Sequence, residues 1–154
     1  MALQPGDKAP AFKLATDGGG NISSSSLKGS PYVLYFYPKD DTAGCTKEAQ
    51  GFSENLKKFE RLGVNLVGVS KDSVASHDRF KAKYGLKLTL ASDEELKAAE
   101  AYGVWGEKTL YGRKYMGMER ATFLVDAKGV IQEIWRKVKV SGHVEAVLEA
   151  AKSL

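Results

Sequence analysis

The run Tyr32-Val33-Leu34-Tyr35-Phe36-Tyr37 limits the folds open to this chain more than any other stretch. Consecutive apolar and aromatic residues without alternation suit a strand covered on both faces, which requires a layered sheet with packing above and below. The run is too short to cross a bilayer, and no longer apolar stretch occurs.

The chain downstream fits that architecture. After the loop 38–42, Ala49, Phe52, Leu56 and Phe59 recur at spacings of three and four, a helical stripe ended by Gly63, and Cys45 falls in phase with it. Val64 to Val69 reads as the next buried strand, and strand, helix, strand of this length implies a right-handed parallel crossover. The pattern predicts a second helix over 73–84 with Gly85 as its stop signal, then a short strand over 88–90. Ser92-Asp93-Glu94-Glu95 has the capping-box form, predicting a short helix through about Tyr102. Residues 110–118, rich in glycine and aromatics, read as a hairpin or loop. Glu119 to Val125 and Val130 to Val138 are strand-like runs joined by the turn Asp126-Ala127-Lys128-Gly129, so they should pair antiparallel. A last helix begins near Ser141 and carries Val144, Val147, Leu148 and Ala151.

Upstream, the stretches 11–15 and 21–23 flank Asp17-Gly18-Gly19-Gly20-Asn21 and read as a small hairpin. The triple glycine is not a phosphate loop, because no Gly-Lys-Ser/Thr follows it. The expected fold is α/β and thioredoxin-like, a central mixed sheet flanked by helices with an N-terminal β-hairpin, in one domain over 1–154; the strand order stays open.

Composition narrows the function classes. The net charge of +4 comes from basic residues interspersed with acidic ones, with no basic run or base-stacking module, so no nucleic-acid partner is expected. No basic patch followed by an apolar run opens the chain, and there is one cysteine; no secretory signal and a reducing, cytoplasmic location are expected. His77 and His143 have no orienting partner evident, read as solvent-facing, and with one cysteine lack metal-ligand spacing. No metal or other cofactor is expected.

Cys45 opens the helix that follows the most buried strand. In open α/β sheets the crevice beyond the carboxyl ends of strands binds ligands, and free N–H groups with the helix dipole stabilise an anion there. The nucleophilic form of cysteine is the thiolate. Because the stripe turns Cys45 inward, shielding opposes that anion and a cation must outweigh it. Arg61, Arg79, Arg113, Arg120 and Arg136 are candidates, and residue spacing does not choose among them. Pro38 stiffens the preceding loop, and Thr42 is placed to set a hydroxyl beside the sulfur. Such a site suits peroxide reduction, in which donors must meet charge developing on the departing oxygen. Dithiol exchange needs a second cysteine, a cysteine phosphatase needs an arginine where Gly51 stands, and a cysteine protease needs a histidine base.

The stretch Tyr35-Phe36-Tyr37-Pro38-Lys39-Asp40-Asp41-Thr42-Ala43-Gly44-Cys45-Thr46-Lys47-Glu48 resembles the peroxiredoxin active-site motif of proline, three residues, threonine, two residues, cysteine. Its aromatic-proline opening and Gly-Cys-Thr ending are similar to the bacterioferritin comigratory, or peroxiredoxin Q, branch. Gly68-Val69-Ser70-Lys71-Asp72, Leu90-Ala91-Ser92-Asp93, Tyr102-Gly103-Val104-Trp105-Gly106-Glu107-Lys108 and Arg120-Ala121-Thr122-Phe123-Leu124-Val125-Asp126 agree in the same order. The resemblance covers nearly the whole chain. It implies a thiol-dependent peroxidase acting on hydrogen peroxide and organic hydroperoxides, with Cys45 as peroxidatic cysteine. It further implies that Thr42 hydrogen-bonds the peroxide, Pro38 shields the pocket, and Arg120 holds the thiolate and orients substrate. Glu48 would orient Arg120, Gly44 joins Pro38, Thr42, Glu48 and Arg120 in the substrate site, and Tyr37 and Trp105 would line it.

One departure matters: Gln50 stands where many relatives of this branch carry a resolving cysteine. A sulfenic acid on Cys45 must then be reduced by an external thiol, thioredoxin, glutaredoxin or a small thiol, with the first helical turn unwinding to admit it. A monomer or weak homodimer is expected. The rival reading is a peroxide-sensing or chaperone-like binding module, oxidised once without sustained turnover.

Overall fold

The computed structural model describes residues 2–154. The apolar run forms β3 (Tyr32–Phe36), with all five of its residues buried. Tyr32, Leu34 and Phe36 pack into one core with Val67, Val69 and Phe123. Val33, Tyr35 and Tyr37 pack into a second core on the opposite face with Phe52, Phe59 and Phe80. A strand between two cores has no wet face, which is why its sequence does not alternate.

Around β3 the sheet has the order β2-β1-β5-β4-β3-β8-β9, where β1 is Lys13–Thr16, β2 Asn21–Ser23, β4 Asn65–Ser70, β5 Thr89–Ser92, β8 Ala121–Val125 and β9 Ile131–Trp135. β3 runs parallel to β4 and β4 parallel to β5, as the crossovers require, while β3 pairs antiparallel with β8 and β8 with β9. The expected N-terminal hairpin forms, and its strand β1 also adds antiparallel to β5, extending the main sheet. The glycine-rich segment is a separate hairpin of β6 (Trp105–Leu110) and β7 (Arg113–Met118).

Three expectations change. The stripe read as one helix is split at Asn55 into α1 (Ala43–Glu54) and α2 (Leu56–Arg61). There the Asn55 side-chain amide donates to the Gly51 carbonyl at 2.8 Å, competing for the helical acceptor. Ser92 does not cap a helix, because it ends β5 and its hydroxyl donates to the Asp72 carbonyl. Asp93 takes that role, accepting from the Ala98 and Ala99 amides, and α4 covers only Lys97–Ala101 after Leu96 in a left-handed conformation (φ 63°). Third, both histidines are buried, His77 on α3 (Val74–Tyr84) and His143 at the start of α5 (His143–Ala151). The remaining boundaries move by a few residues: α3 starts after its cap Ser73, whose hydroxyl accepts from the Ser76 amide, and Gly85 closes it at φ 62°.

Across the β3–β4 pair, Tyr35 stands beside Gly68. A Cβ on Gly68 would lie 2.6 Å from the Tyr35 ring, which is itself stacked on Phe52 at 4.6 Å between centroids. The ring has nowhere to go. Gly68→Ala is expected to destabilise the fold by about 1–3 kcal/mol, the usual range for overpacking, measured as a lower urea midpoint at unchanged slope.

Candidate active site

Strand pairing assembles the site. Phe36, the last residue of β3, is opposite Ala121, the first of β8. Arg120 therefore sits beside the point where the chain leaves β3 for the loop 37–42 and α1. Its backbone is fixed by a hydrogen bond from the Val138 amide to its carbonyl at 3.0 Å. This register closes a separation of 75 residues between Arg120 and Cys45.

Cys45 occupies the first turn of α1 behind the N-cap Thr42. Thr46 makes the first helical bond, to the Thr42 carbonyl, so the amides of Ala43, Gly44 and Cys45 precede the helical ladder. Residues three apart share a helix face, and Cys45 and Glu48 both turn to Arg120. Arg120 Nη2 donates to Cys45 Sγ at 3.2 Å and Nη1 donates to Glu48 Oε1 at 2.7 Å. A Cβ on Gly44 would lie 3.2 Å from Arg120 Nη2, so the small residue leaves room for the guanidinium. Arg61, Arg79, Arg113 and Arg136 are exposed, and Arg136 is engaged with Glu119.

Cys45 is 1% exposed and Glu48 fully buried. Burial pushes the Glu48 carboxyl from 4.5 to about 7, although the charge and hydrogen bond of Arg120 pull it down. Its Oε2 is a buried oxygen without a hydrogen-bond partner among the described residues and lies 4.0 Å from His143 Nε2. His143 is pushed from 6.5 to about 4, first by burial and then by the Arg120 charge, and its Nε2 is 2.8 Å from Thr122 Oγ1. From Cys45 Sγ the contacts run through the half-buried Arg120 guanidinium to the buried Glu48 carboxyl and on to the buried His143 imidazole.

The loop side differs from expectation in detail. Thr42 is exposed, and its hydroxyl donates to the Lys39 carbonyl at 2.9 Å. Pro38 is half-buried. Tyr37 shares the Cys45 core but uses its hydroxyl on Asp40, at 2.6 Å. Trp105 is not brought to that core and packs against the one on the other face of the sheet. The sequence reading missed Asp40, His77 and His143. His77 lies on the stripe Val74, His77, Phe80, Tyr84, and His143 lies four residues before Val147; in both cases helical spacing carried the signal of burial.

Residues 5–134 match the AhpC/TSA family. A peroxiredoxin Bcp of Coxiella burnetii is 51% identical over 148 residues, 96% of this chain and 98% of that protein. The structure of a cysteine-to-serine variant of Xylella fastidiosa peroxiredoxin Q matches with a TM-score of 0.93 at 39% identity, covering 99% and 98% of the two chains. The bacterioferritin comigratory protein of Xanthomonas campestris, solved in trapped intermediate and ligand complexes bearing on its alkyl peroxide reduction, matches with a TM-score of 0.88 at 43% identity over 92% and 90%. This chain belongs to the AhpC/TSA family, and within it to the bacterioferritin comigratory, or peroxiredoxin Q, branch of thiol-dependent peroxidases.

The two perturbed groups act oppositely on stability. With its pKa raised, Glu48 contributes stability that is present below 4.5 and lost as the pH rises through about 7. With its pKa depressed, His143 contributes stability that is present above 6.5 and lost as the pH falls through about 4. Glu48→Gln removes the first contribution alone. Its urea midpoint should fall more steeply than that of the unsubstituted protein from pH 6.5 to 4; an identical slope would count against the Glu48 assignment.

Proposed function

We propose that this peroxidase works through Cys45 alone, reducing hydrogen peroxide and organic hydroperoxides by a one-cysteine sulfenic acid mechanism. The observation that carries the reading is the Arg120 guanidinium 3.2 Å from Cys45 Sγ at the start of a helix. In this reading the thiolate attacks the terminal oxygen of ROOH, the S–O bond forms as the O–O bond breaks, and the departing RO⁻ takes the proton the thiol gave up. Arg120 and the unladdered amides of Ala43, Gly44 and Cys45 are the donors for the charge that develops there. Thr42, whose hydroxyl already donates to Lys39, keeps lone pairs to accept from the peroxide O–H. Pro38 closes the loop side, and Glu48 holds the second arm of Arg120.

Regeneration follows from Gln50 and the single cysteine. A first thiol attacks the sulfenic sulfur, forming a mixed disulfide and releasing water; a second thiol frees Cys45 and leaves as a disulfide. Thioredoxin, glutaredoxin or a small thiol fills this role. Because Cys45 is 1% exposed, the first turn of α1 must unwind before that attack. We read the chain as one domain, a monomer or weak homodimer, acting in the cytoplasm. No helix among the described residues is long and apolar enough to cross a membrane.

Steady-state peroxide consumption with thioredoxin, glutaredoxin and small thiols in parallel tests the reading. Many equivalents of peroxide should be consumed with at least one of them, and Cys45→Ser should consume none. Consumption that stops after one equivalent with every thiol would instead establish a sensor. Arg120→Lys keeps the charge but loses the two-armed fork, and is expected to lower the peroxide rate constant by about 10²-fold in stopped-flow oxidation of Cys45.

A further inference from the structure

We propose that Tyr37, Asp40, Ser76 and His77 are positioning residues that fasten the loop 38–42 to α3 and thereby set how readily the first turn of α1 leaves the folded site. This inference rests on Cys45 being the peroxidatic cysteine and concerns its second half-reaction, in which a thiol must reach it.

Both carboxylate oxygens of Asp40 have partners. Its Oδ1 accepts from the Tyr37 hydroxyl at 2.6 Å, and its Oδ2 accepts from the Ser76 hydroxyl at 2.8 Å and faces His77 Nδ1 at 2.7 Å. The other ring nitrogen of His77 lies 2.9 Å from the Ala91 carbonyl oxygen. A carbonyl only accepts, and a carboxylate holding two hydroxyl donors also accepts, so both ring nitrogens donate. His77 is an imidazolium, fully buried against a carboxylate from a loop 37 residues away. The charges agree with this geometry. Burial opposes the His77 cation, yet the Asp40 hydrogen bond and charge leave its pKa raised; burial opposes the Asp40 anion, yet His77 and Tyr37 leave its pKa lowered.

Nothing in peroxide chemistry uses this pair directly, since Cys45 already has its cation in Arg120. Its place explains it. Asp40 lies in the five-residue loop 38–42 that ends at Thr42, the N-cap of α1, and the Asp40 amide is also tied to Asp72 Oδ2 at 2.8 Å. The next residue, Asp41, holds a left-handed backbone (φ 59°) and is bound by Lys83 and Tyr84 at the far end of α3. Two adjacent carboxylates thus tie the entry of the reactive helix to a second helix. Unwinding the first turn of α1 pulls on this loop, and a buried ion pair that loses its partner is costly. The clamp therefore holds the closed state in excess and keeps the state open to thiols scarce.

Weakening the clamp by one donor should enlarge the minor state without lowering the major one appreciably. Tyr37→Phe and His77→Gln, with Ser76→Ala as the mildest change, are compared with the unsubstituted protein in two single-turnover steps: peroxide oxidation of Cys45, then reduction of the sulfenic acid by dithiothreitol. Expected is a rise of about tenfold in the thiol step for Tyr37→Phe, the value of one hydrogen bond to a charged group, with no rise in the peroxide step. Amide hydrogen exchange at 43–46 should quicken in step with it. Exchange quickened at 43–46 and not evenly along the chain separates a loosened clamp from a simple loss of stability. An unchanged or slower thiol step in Tyr37→Phe and Ser76→Ala, or exchange quickened evenly along the chain, overturns the proposal. Should His77→Gln not fold, those two variants decide. If the unsubstituted protein were not oxidised at Cys45, the peroxidase reading would fail, while the exchange comparison would still report on the clamp.

Discussion

The pairing of β3 with β8 is the constraint on which the rest of this molecule depends. Phe36 opposite Ala121 puts Arg120 at the exit of β3, and the chain leaving that exit becomes the loop and helix that carry Cys45. A slip of one residue in this register would turn Arg120 to the other face of the sheet and part it from the sulfur. The register is held by the strongest patterning in the sequence. Five buried residues of β3 face two cores at once, and five buried residues of β8 lie against them. Burial of large side chains, each worth about 1.5–3 kcal/mol, thereby sets the position of one hydrogen bond of 3.2 Å.

How much of this was legible follows from the range over which each signal acts. The buried strand, the stop at Gly85, the antiparallel pair after residue 119 and the placing of the one cysteine at a helix start are local patterns, and the structure contains them. Arg120 was not separable from four other arginines by spacing, because its selection is made by strand register; only the family motif singled it out. The break at Asn55 depends on one side chain reaching back to Gly51, and Ser92 was diverted from capping by a partner at Asp72, contacts no window of sequence displays. The histidines are a different case. Both sit on apolar helical stripes, but a polar side chain carries no local mark of burial, because buried polar groups are satisfied by partners that lie far away in sequence. His77 found Asp40 and the Ala91 carbonyl; His143 found Thr122.

Two charge systems bear on the helix that carries Cys45, one on the loop that enters it and one on its own face, and they are built unequally. On the loop side, Asp40 receives three donors and His77 places both nitrogens, so the network is satisfied and rigid. On the helix face, Glu48 has one oxygen paired with Arg120 and one with no partner among the described residues, in surroundings that push its pKa to about 7. An incompletely satisfied buried carboxyl is a weak point in a fold, and here it lies on the same helix face as Cys45. The helix start is thus fixed firmly by the loop and less firmly along the helix face that carries Cys45 and Glu48.

That imbalance fits the two demands made of a site with a single cysteine. In the proposed mechanism the sulfur must stay shielded and in contact with Arg120 toward peroxide, since the donors act only if they are already in place when the O–O bond breaks. Toward a thiol, the same sulfur must come out, and with Gln50 in place of a neighbouring cysteine no short intramolecular exchange can do this from inside the fold. The closed state has to dominate without being permanent. A satisfied ion pair on a short loop gives a closing force that acts at a distance from the chemistry, so its strength can set the opening equilibrium while Arg120, Cys45 and the first amides of α1 keep the geometry that the peroxide step requires.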